Sequence, residues 1–405
     1  IKLKKILTSK KILIVTECFY PEEFKINEIA LFWKSIGYEV GVITLIPTYP
    51  LGKVYKGYKN KIFSKEIYQG VTVYRVHAVT GYTESKIKKY LKYLNFMIIG
   101  SILSIFIGKK YDYVFGYNLG ALTDMLPAVL IRKLFKKPLM IWVQDIWPDS
   151  LYAYGFRKTK LRSYFLNIFV KFIYSNVTHI AISGKGFASK LKPYVKKNQV
   201  FHYLPNWADN LNMNQEAIQL STESKVHFTF AGNIGKVQNL ENIINSFCML
   251  SEEYQKRAQL NIIGDGSNLK HLKTLANNNQ HIIFHGKIKR DYMAQYYKSS
   301  DFLIVSLIDE PIFSVTVPAK IQTYIAAKKP ILAAINGDSS DIVRENNLGL
   351  CVDPSDVILI KEALQKCINM SDTEKESFIN HSDIILQTVF NKGLIMNDMT
   401  NILVK

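Results

Sequence analysis

The chain has 405 residues, enough for two domains that each bury a core, and its hydrophobic fraction of 48% suits a globular protein. Its four cysteines lack metal-ligand spacing, which argues against a zinc site. Residues 1–200 hold 33 of the 52 Lys and Arg residues but 11 of the 33 Asp and Glu residues, so this half carries +22 and the rest −3. The first half is therefore expected to face an anionic partner.

The first half alternates strands with helices. A buried strand within residues 10–21 leads to a helix expected from Lys25 to Ile36. Further strands are predicted at Glu39–Leu45, Val71–Val76, Tyr113–Tyr117, Leu139–Gln144, His179–Ile182 and Phe201–Pro205, with a helix at Ala121–Leu134. This alternation predicts a parallel sheet.

Residues 85–110 combine a basic helix with about a dozen nearly unbroken apolar residues, Phe96–Ile107. That run is shorter than the roughly 20 residues that cross a bilayer. Two interpretations stay open: a helix buried in the first domain, or an interfacial helix with lysines at the headgroup level. A later group of basic residues is expected to help this segment bind an anionic membrane: Arg132, Lys133, Lys136 and Lys137.

Residues 206–225 are polar and are predicted to link two domains. Beyond them the strand–helix alternation resumes. The sequence thus predicts an α/β protein with a first Rossmann-like domain at 1–205, a second at 206–385 and a cleft between them. Residues 386–405 are expected to form a C-terminal helix that packs back on the first domain.

A loop that leads into a helix, within Phe313–Leu332, is the main ligand signal of the second half. The chain turns at Pro318 and becomes helical from about Ala319. Free N–H groups around Val317–Ala319 and the helix dipole favour an anion there. Lys320 in the first turn is unfavourable unless an anion is near. An ordinary strand–helix unit with a solvated lysine is the alternative.

Two more strand-to-loop junctions carry candidate residues. AGNIGKVQ places Gly235, Lys236 and Gln238 at a turn where backbone and lysine can approach a diphosphate, and HGKIKRDY places Ile288 where backbone can pair with a flat heterocycle. The chain has neither a GxGxxG fingerprint after its first strand nor a P-loop. This argues against a plain dinucleotide-dependent dehydrogenase.

In order, AGN, IIGDG, HGKI and VPAK…YIAAKKPIL resemble the donor-nucleotide domain of family-4 glycosyltransferases, and ILIVTECFYPEEFKINEIA resembles their opening strands. GKVQNLE, FSVTVPAKIQTY and WVQDIWPDS are most similar to the bacterial branch that includes L-fucosamine (N-acetylfucosamine) transferases of surface-polysaccharide assembly. The resemblance implies a GT-B fold and a retaining hexosyl or N-acetylhexosaminyl transferase.

The resemblance also implies a UDP-sugar donor in the second domain. Backbone at Ile288 would bind uracil, and Thr323 would lie near the ribose. The diphosphate would meet a set of charged, amide and backbone groups: Gly235, Lys236, Gln238, Val317, Pro318, Ala319 and Lys320. The chain departs from the family at Val315 and Thr323, where many members carry glutamates. Donor-sugar contacts therefore do not carry over to Val315.

On the acceptor side, the family's glycine-rich loop is replaced by PEEFKIN, which makes Lys25 and Asn27 candidates. Asp145, with Gln144 where many members have His, is the candidate for orienting the acceptor hydroxyl. Asp145 and Lys236 are thus the expected catalytic residues. For Asp145, a helix cap or a structural salt bridge is the alternative.

The implied acceptor is a polyprenyl-diphosphate-linked saccharide of O-antigen or capsule assembly, on the inner face of the bacterial cytoplasmic membrane. We expect peripheral attachment to anionic lipid. No metal or other cofactor is expected, because DGSN and DEP lack a partner carboxylate at suitable spacing. Three alternatives stay open. An epimerase would turn over a UDP-sugar without acceptor, a phosphorylase would need orthophosphate, and a basic nucleic-acid-binding protein would retain RNA or DNA.

Overall fold

The computed structural model describes residues 10–153, 155–208, 211–221, 223 and 225–405. The chain forms two compact units. The first unit consists of a main segment that ends at Ser183, together with Phe187–Leu204 and Met396–Lys405. The second unit consists of Gly184–Gly186 and Pro205–Ile395. The chain therefore passes into the second unit at Pro205.

In the described part of the chain, the first unit contains an eight-stranded sheet in the order β3-β4-β2-β1-β5-β6-β7-β8. Every neighbouring pair is parallel except β3 and β4. The strands are β1 Lys11–Val15, β2 Glu39–Leu45, β3 Phe63–Tyr68, β4 Val71–Val76, β5 Tyr113–Asn118, β6 Leu139–Val143, β7 His179–Ile182 and β8 Phe201–Tyr203. The bounds predicted for β2, β4 and β7 are confirmed.

The edge strand β3 was not predicted. It pairs antiparallel with β4, and its residues alternate between exposed and half-buried. Because FSKEIY is polar and lies at the sheet edge, it lacks the apolar run that marks the inner strands.

The helices of the first unit are α1 Lys25–Ser35, α2 Lys86–Asn95, α3 Ser101–Ile107, α4 Leu126–Phe135, α5 Asp149–Ala153, α6 Lys160–Ser175 and α7 Phe187–Leu191. The connections β4–β5, β5–β6 and β6–β7 all step in one direction across the sheet. Because such connections are right-handed, α2–α3, α4 and α6 cover one face and α1 covers the other.

A π-helical turn, Phe96–Gly100, joins α2 to α3. The resulting helical run Ile87–Lys110 has 24 residues. By length and composition it could cross a membrane, but core helices of soluble proteins can be equally long and apolar. Its buried residues include Phe96, Gly100, Ser104 and Ile107, whereas Ile98 and Phe106 are exposed. The segment therefore has one side packed into the first unit and one side exposed.

The second unit contains a parallel sheet in the order β11-β10-β9-β12-β13-β14 within the described residues. The strands are β9 Val226–Ala231, β10 Ala258–Ile263, β11 Ile282–Gly286, β12 Phe302–Ser306, β13 Ile331–Ala334 and β14 Gly349–Val352. One hydrophobic core fills one face of this sheet, with Phe228, Phe230, Leu260 and Ile262 among its members.

The helices of the second half are α8 Leu240–Cys248, α9 Glu252–Lys256, α10 Leu269–Leu275, α11 Met293–Lys298, α12 Ala319–Ala326, α13 Asp338–Glu345, α14 Val357–Asn369, α15 Asp372–Ser377, α16 Ser382–Thr388 and α17 Lys392–Leu403. The end of α17 belongs to the first unit, where Trp33 Nε1 of α1 donates a 2.8 Å hydrogen bond to Thr400 Oγ1.

The described part of 206–225 has neither helix nor strand, but side chains of the second unit hold it in place. Ser299 Oγ donates to Ile218 O at 2.6 Å, and Gln259 Nε2 donates to Leu220 O at 3.1 Å. This part of the chain is therefore hydrogen-bonded to the second unit.

Candidate functional site

The glycine turns of the second unit lie against one another at the carboxyl edge of its sheet. An added Cβ on Gly264, after β10, would lie 1.8 Å from the carbonyl oxygen of Gly232, after β9. A Cβ on Gly266 would lie 2.4 Å from the carbonyl oxygen of Ile234. Gly264 N also donates to Gly286 O of β11 at 2.8 Å. These loops form a closely packed backbone surface at the edge where open α/β sheets bind ligands.

Lys320 extends from α12 to this surface. Its Nζ donates a 2.5 Å hydrogen bond to Gln238 Oε1 and lies 3.6 Å from the ring centre of Phe230. A Cβ on Gly232 would come within 2.8 Å of Lys320 Cε. Burial lowers the pKa of Lys320 to about 7. Since 82 residues separate Lys320 from Gln238 in sequence, only the fold could show this contact.

The other predicted diphosphate residues lie at two exposed helix starts. Lys236 is exposed and begins the 3₁₀ turn Lys236–Gln238, with Gly235 as its N-cap. Helix α12 begins at the exposed Ala319, and its N-cap Pro318 makes no side-chain capping bond. The first-turn N–H groups beside Val317 thus have the geometry for an anion.

Ile288 is half-buried in the loop that leaves β11. Strand β11, which leads to Ile288, lies two strand spacings, roughly 10 Å, from β9, which leads to Lys236. Thr323 lies in the second turn of α12, where its Oγ1 donates to Ala319 O at 3.0 Å. Because this donor is used within the helix, Thr323 offers a ligand its oxygen lone pairs.

Asp145 follows β6 at the carboxyl edge of the first sheet. Its Oδ1 accepts a 3.0 Å hydrogen bond from Ile146 N. Burial raises the pKa of Asp145 to about 6, although the hydrogen bond from the Ile146 backbone acts to lower it. Gln144 is half-buried, and its backbone N–H donates to Asn118 O at 3.0 Å. Asp145 therefore has the properties of a general base near neutral pH.

Sequence reasoning missed a buried charged cluster at the same edge. Glu17 follows β1, Asp124 follows β5, and Lys92 points inward from α2 to form an ion pair with Glu17. Lys92 Nζ also lies 4.1 Å from the ring centre of Tyr82. The sequence contains one signal for this cluster, because Glu17 is an acidic residue just after the apolar strand β1.

The charges of this cluster depend on one another. Burial acts to lower the pKa of Lys92, but the charge of Glu17, its hydrogen bond and smaller contributions from Cys18 and Tyr82 together raise that pKa. Burial raises the pKa of Asp124 well above its usual range, and Glu17 adds to the effect. Burial also raises the pKa of Tyr93, with further contributions from Glu17, Asp124 and Asp145.

Asn27 holds its own loop together. Its Nδ2 donates to Glu22 O at 2.7 Å, and its Oδ1 accepts from Tyr20 N at 3.1 Å. The Glu22 carboxylate in turn accepts from the backbone N–H groups of Thr48 and Tyr49. The side chain of Asn27 thus has a structural role in the loop before Lys25, which is half-buried at the start of α1.

Among the residues that the structure describes, no group of three or more His, Cys, Asp and Glu side chains is arranged to hold a metal ion. The candidate chemistry of the second unit comes from Lys236, Lys320 and the backbone N–H groups at the start of α12. That of the first unit comes from carboxyl groups, foremost Asp145.

Residues 213–382, which lie in the second unit, match the family model "Glycosyl transferases group 1". A curated relative, "Probable glycosyltransferase WbjE" of Pseudomonas aeruginosa, is 26% identical over 263 residues. This match covers 62% of the chain and 64% of the relative, so it spans less than two thirds of that protein's length.

Solved structures show the same two-unit architecture. A structure described as trehalose-6-phosphate from E. coli, bound with UDP-2-fluoro glucose, is 11% identical in sequence to this chain. Its TM-score is 0.73, and the alignment covers 97% of this chain and 99% of that structure. WaaG, a glycosyltransferase involved in lipopolysaccharide biosynthesis, is 12% identical with a TM-score of 0.63, over 97% and 99% of the two chains. The chain has the GT-B fold, as predicted.

Proposed function

We propose that the chain is a retaining glycosyltransferase that moves a sugar from a UDP-sugar to a lipid-linked saccharide. The observation that carries this proposal is the position of Lys320 beside the start of α12, where its Nζ donates a 2.5 Å hydrogen bond to Gln238 Oε1. A half-buried lysine next to free helix N–H groups is suited to a diphosphate. The group 1 match over the same unit supports a nucleotide-sugar donor, as does the UDP-sugar bound by the E. coli protein.

The proposed chemistry breaks the bond between the anomeric carbon and the β-phosphate oxygen. The electron pair stays with UDP, which gains negative charge as the bond opens. Lys236, Lys320 and the N–H groups of Val317–Ala319 would stabilise this charge without a metal. Ile288 would bind the uracil through its backbone, and Thr323 would accept a hydrogen bond near the ribose.

Asp145 would orient the acceptor hydroxyl and receive its proton as the new glycosidic bond forms. The acceptor side belongs to the first unit, with Gln144 and Lys25 near the same strand ends. WaaG acts in lipopolysaccharide biosynthesis, and this supports a surface polysaccharide such as O-antigen or capsule as the product. The similarity of GKVQNLE and WVQDIWPDS to L-fucosamine transferases favours an N-acetylated deoxyhexosamine as the sugar.

We also propose peripheral attachment to the cytoplasmic face of a bacterial membrane. The outer side of α2–α3 exposes a row of apolar residues: Ile87, Leu91, Leu94, Ile98, Ile102, Ile105 and Phe106. Lys88 and Lys89 are exposed beside them, and residues 85–111 contain no acid. An apolar row flanked only by lysines favours an anionic lipid surface.

The decisive experiment is calorimetric titration with UDP-, GDP- and dTDP-sugars, followed by transfer to a polyprenyl-diphosphate-linked acceptor. We expect selective binding of a UDP-sugar and acceptor-dependent release of UDP. Turnover of the UDP-sugar without acceptor would instead indicate an epimerase, and a requirement for orthophosphate would indicate a phosphorylase. Binding of RNA but of no nucleotide-sugar would contradict an enzymatic role.

A further inference from the structure

Helix α6 carries a second exposed apolar row, separate from that of α2–α3. Leu161, Tyr164, Phe165 and Ile168 are 68%, 62%, 61% and 48% exposed. Their spacing of three, four and seven residues places them on one side of the helix. The buried residues of α6 are Val170, Ile173 and Tyr174. The exposed row is therefore not part of the core.

The charge around this row has one sign. Residues 150–208 contain no Asp or Glu. The helix and the loop before it carry Arg157, Lys158, Lys160, Arg162 and Lys171. Two copies of this surface would bring like charges together, which disfavours self-association. An anionic surface would be attracted to every one of these side chains.

The row adjoins the surface of α2–α3. Both helices lie on the same face of the first sheet because their connections cross it in the same direction. Tyr90 of α2 packs edge-on against Phe156, with ring centres 6.2 Å apart, and Arg162 of α6 lies 5.4 Å from the same ring. The first turn of α6 thus lies beside α2, with the ring of Phe156 between them.

We propose that the exposed row of α6 is a second insertion element, which enters the headgroup region of an anionic bilayer together with α2–α3. This inference rests on the proposed membrane attachment and extends it to a named second contact. One helix in an interface leaves the protein free to roll about the helix axis. Two helices fix its orientation on the bilayer.

The orientation matters for the acceptor. Helices α2 and α6 follow β4 and β6, so both begin near the carboxyl edge of the sheet, where Asp145 lies. A bilayer that contacts both helices would hold this edge at a constant height above the headgroups. The diphosphate of a lipid-linked acceptor lies in that plane, so the two contacts would keep Asp145 within reach of the acceptor sugar.

The test uses tryptophan fluorescence in the full chain. All four native tryptophans are at most 6% exposed, so they give a constant background. F165W is mixed with vesicles of anionic phosphatidylglycerol, with and without brominated acyl chains. The matched control is L359W, at a 43% exposed position in the second unit. We expect a blue shift and bromine quenching for F165W and neither for L359W.

A second pair of variants measures the contribution of the row. L161S/F165S should weaken vesicle partitioning about tenfold or more while turnover with a short soluble acceptor stays that of the wild type. The exposed pair I358S/L359S should leave partitioning unchanged. These readouts do not depend on which sugar is transferred.

Three results would overturn the inference. Sedimentation of F165W with vesicles but no spectral change would show that α6 stays out of the bilayer, whereas membrane attachment would stand. No sedimentation of the wild type would remove the attachment itself. A wild-type dimer that L161S/F165S converts to a monomer, measured by ultracentrifugation, would assign the row to a second copy of the chain.

Discussion

The ammonium group of Lys92 forms an ion pair with the carboxylate of Glu17 in the interior of the first unit, whereas Lys88 and Lys89 of the same helix are exposed. Lys92 is 7% exposed and Glu17 is 9% exposed. Three lysines that look alike in sequence thus have different roles. Lys92 holds α2 to the end of β1, and the other two are available to an external anion.

Removing one partner of this pair should destabilise the fold strongly. Lys92→Met leaves Glu17 buried without its counter-charge, a change that typically costs about 3–5 kcal/mol of unfolding free energy. The double variant Lys92→Met with Glu17→Gln should recover most of that loss. Urea denaturation measures both, and Lys88→Met, expected within about 0.5 kcal/mol of the wild type, is the control. Equal stability of all variants would contradict a structural ion pair.

The contrast among these lysines indicates what the sequence can predict. The buried strands were predictable because continuous apolar runs such as Leu139–Val143 follow directly from burial on both faces of the sheet. The inward direction of Lys92 was not predictable, since it depends on Glu17, 75 positions earlier in the chain. The Lys320–Gln238 contact is of the same kind. Local patterns therefore located the candidate site, and long-range packing determined its electrostatics.

Vesicle sedimentation should separate attachment by charge from attachment by insertion. We expect Lys88→Glu with Lys89→Glu to weaken binding to anionic vesicles, because each lysine near such a surface contributes about 1 kcal/mol. A fraction of the wild type should stay bound at high salt, because salt does not screen the exposed apolar row. The matched control is Lys270→Glu with Lys273→Glu on α10, also exposed. Complete release of the wild type at high salt would exclude insertion.

Asp145→Asn should damage transfer more than donor binding. Asp145 belongs to the first unit, whereas the proposed UDP site lies in the second. We expect turnover to fall about 10²–10⁴-fold, the usual contribution of a general base, with UDP affinity unchanged by calorimetry. Because burial raises the pKa of Asp145 to about 6, the carboxylate is lost as pH falls through 6. The wild-type rate should fall with it, and the variant should lack this limb of the pH profile.

Lys236→Ala should lower turnover by about one to three orders of magnitude, as expected for the loss of one group that stabilises the leaving diphosphate. The fold should be unaffected, because Lys236 is exposed. Activity of the wild type should persist in excess EDTA. A strict need for Mg²⁺ or Mn²⁺, restored when the metal is added back, would show that a metal stabilises the leaving group instead.

Lys320 should take up a proton when UDP binds. Burial lowers its pKa to about 7, so at pH 8 the side chain is mostly neutral in the free protein. A diphosphate beside it favours the charged form and raises that pKa, so binding draws a proton from the buffer and weakens as pH rises above 7.

Calorimetry at pH 8 in buffers of different ionisation enthalpy measures this uptake. UDP itself contributes little, because its last phosphate pKa is about 6. Lys320→Met retains an apolar side chain against Phe230 but should abolish the uptake and lower the affinity, whereas Lys236→Met should lower the affinity and retain the uptake. If Lys320→Met binds UDP with the same proton uptake as the wild type, Lys320 does not contact the diphosphate.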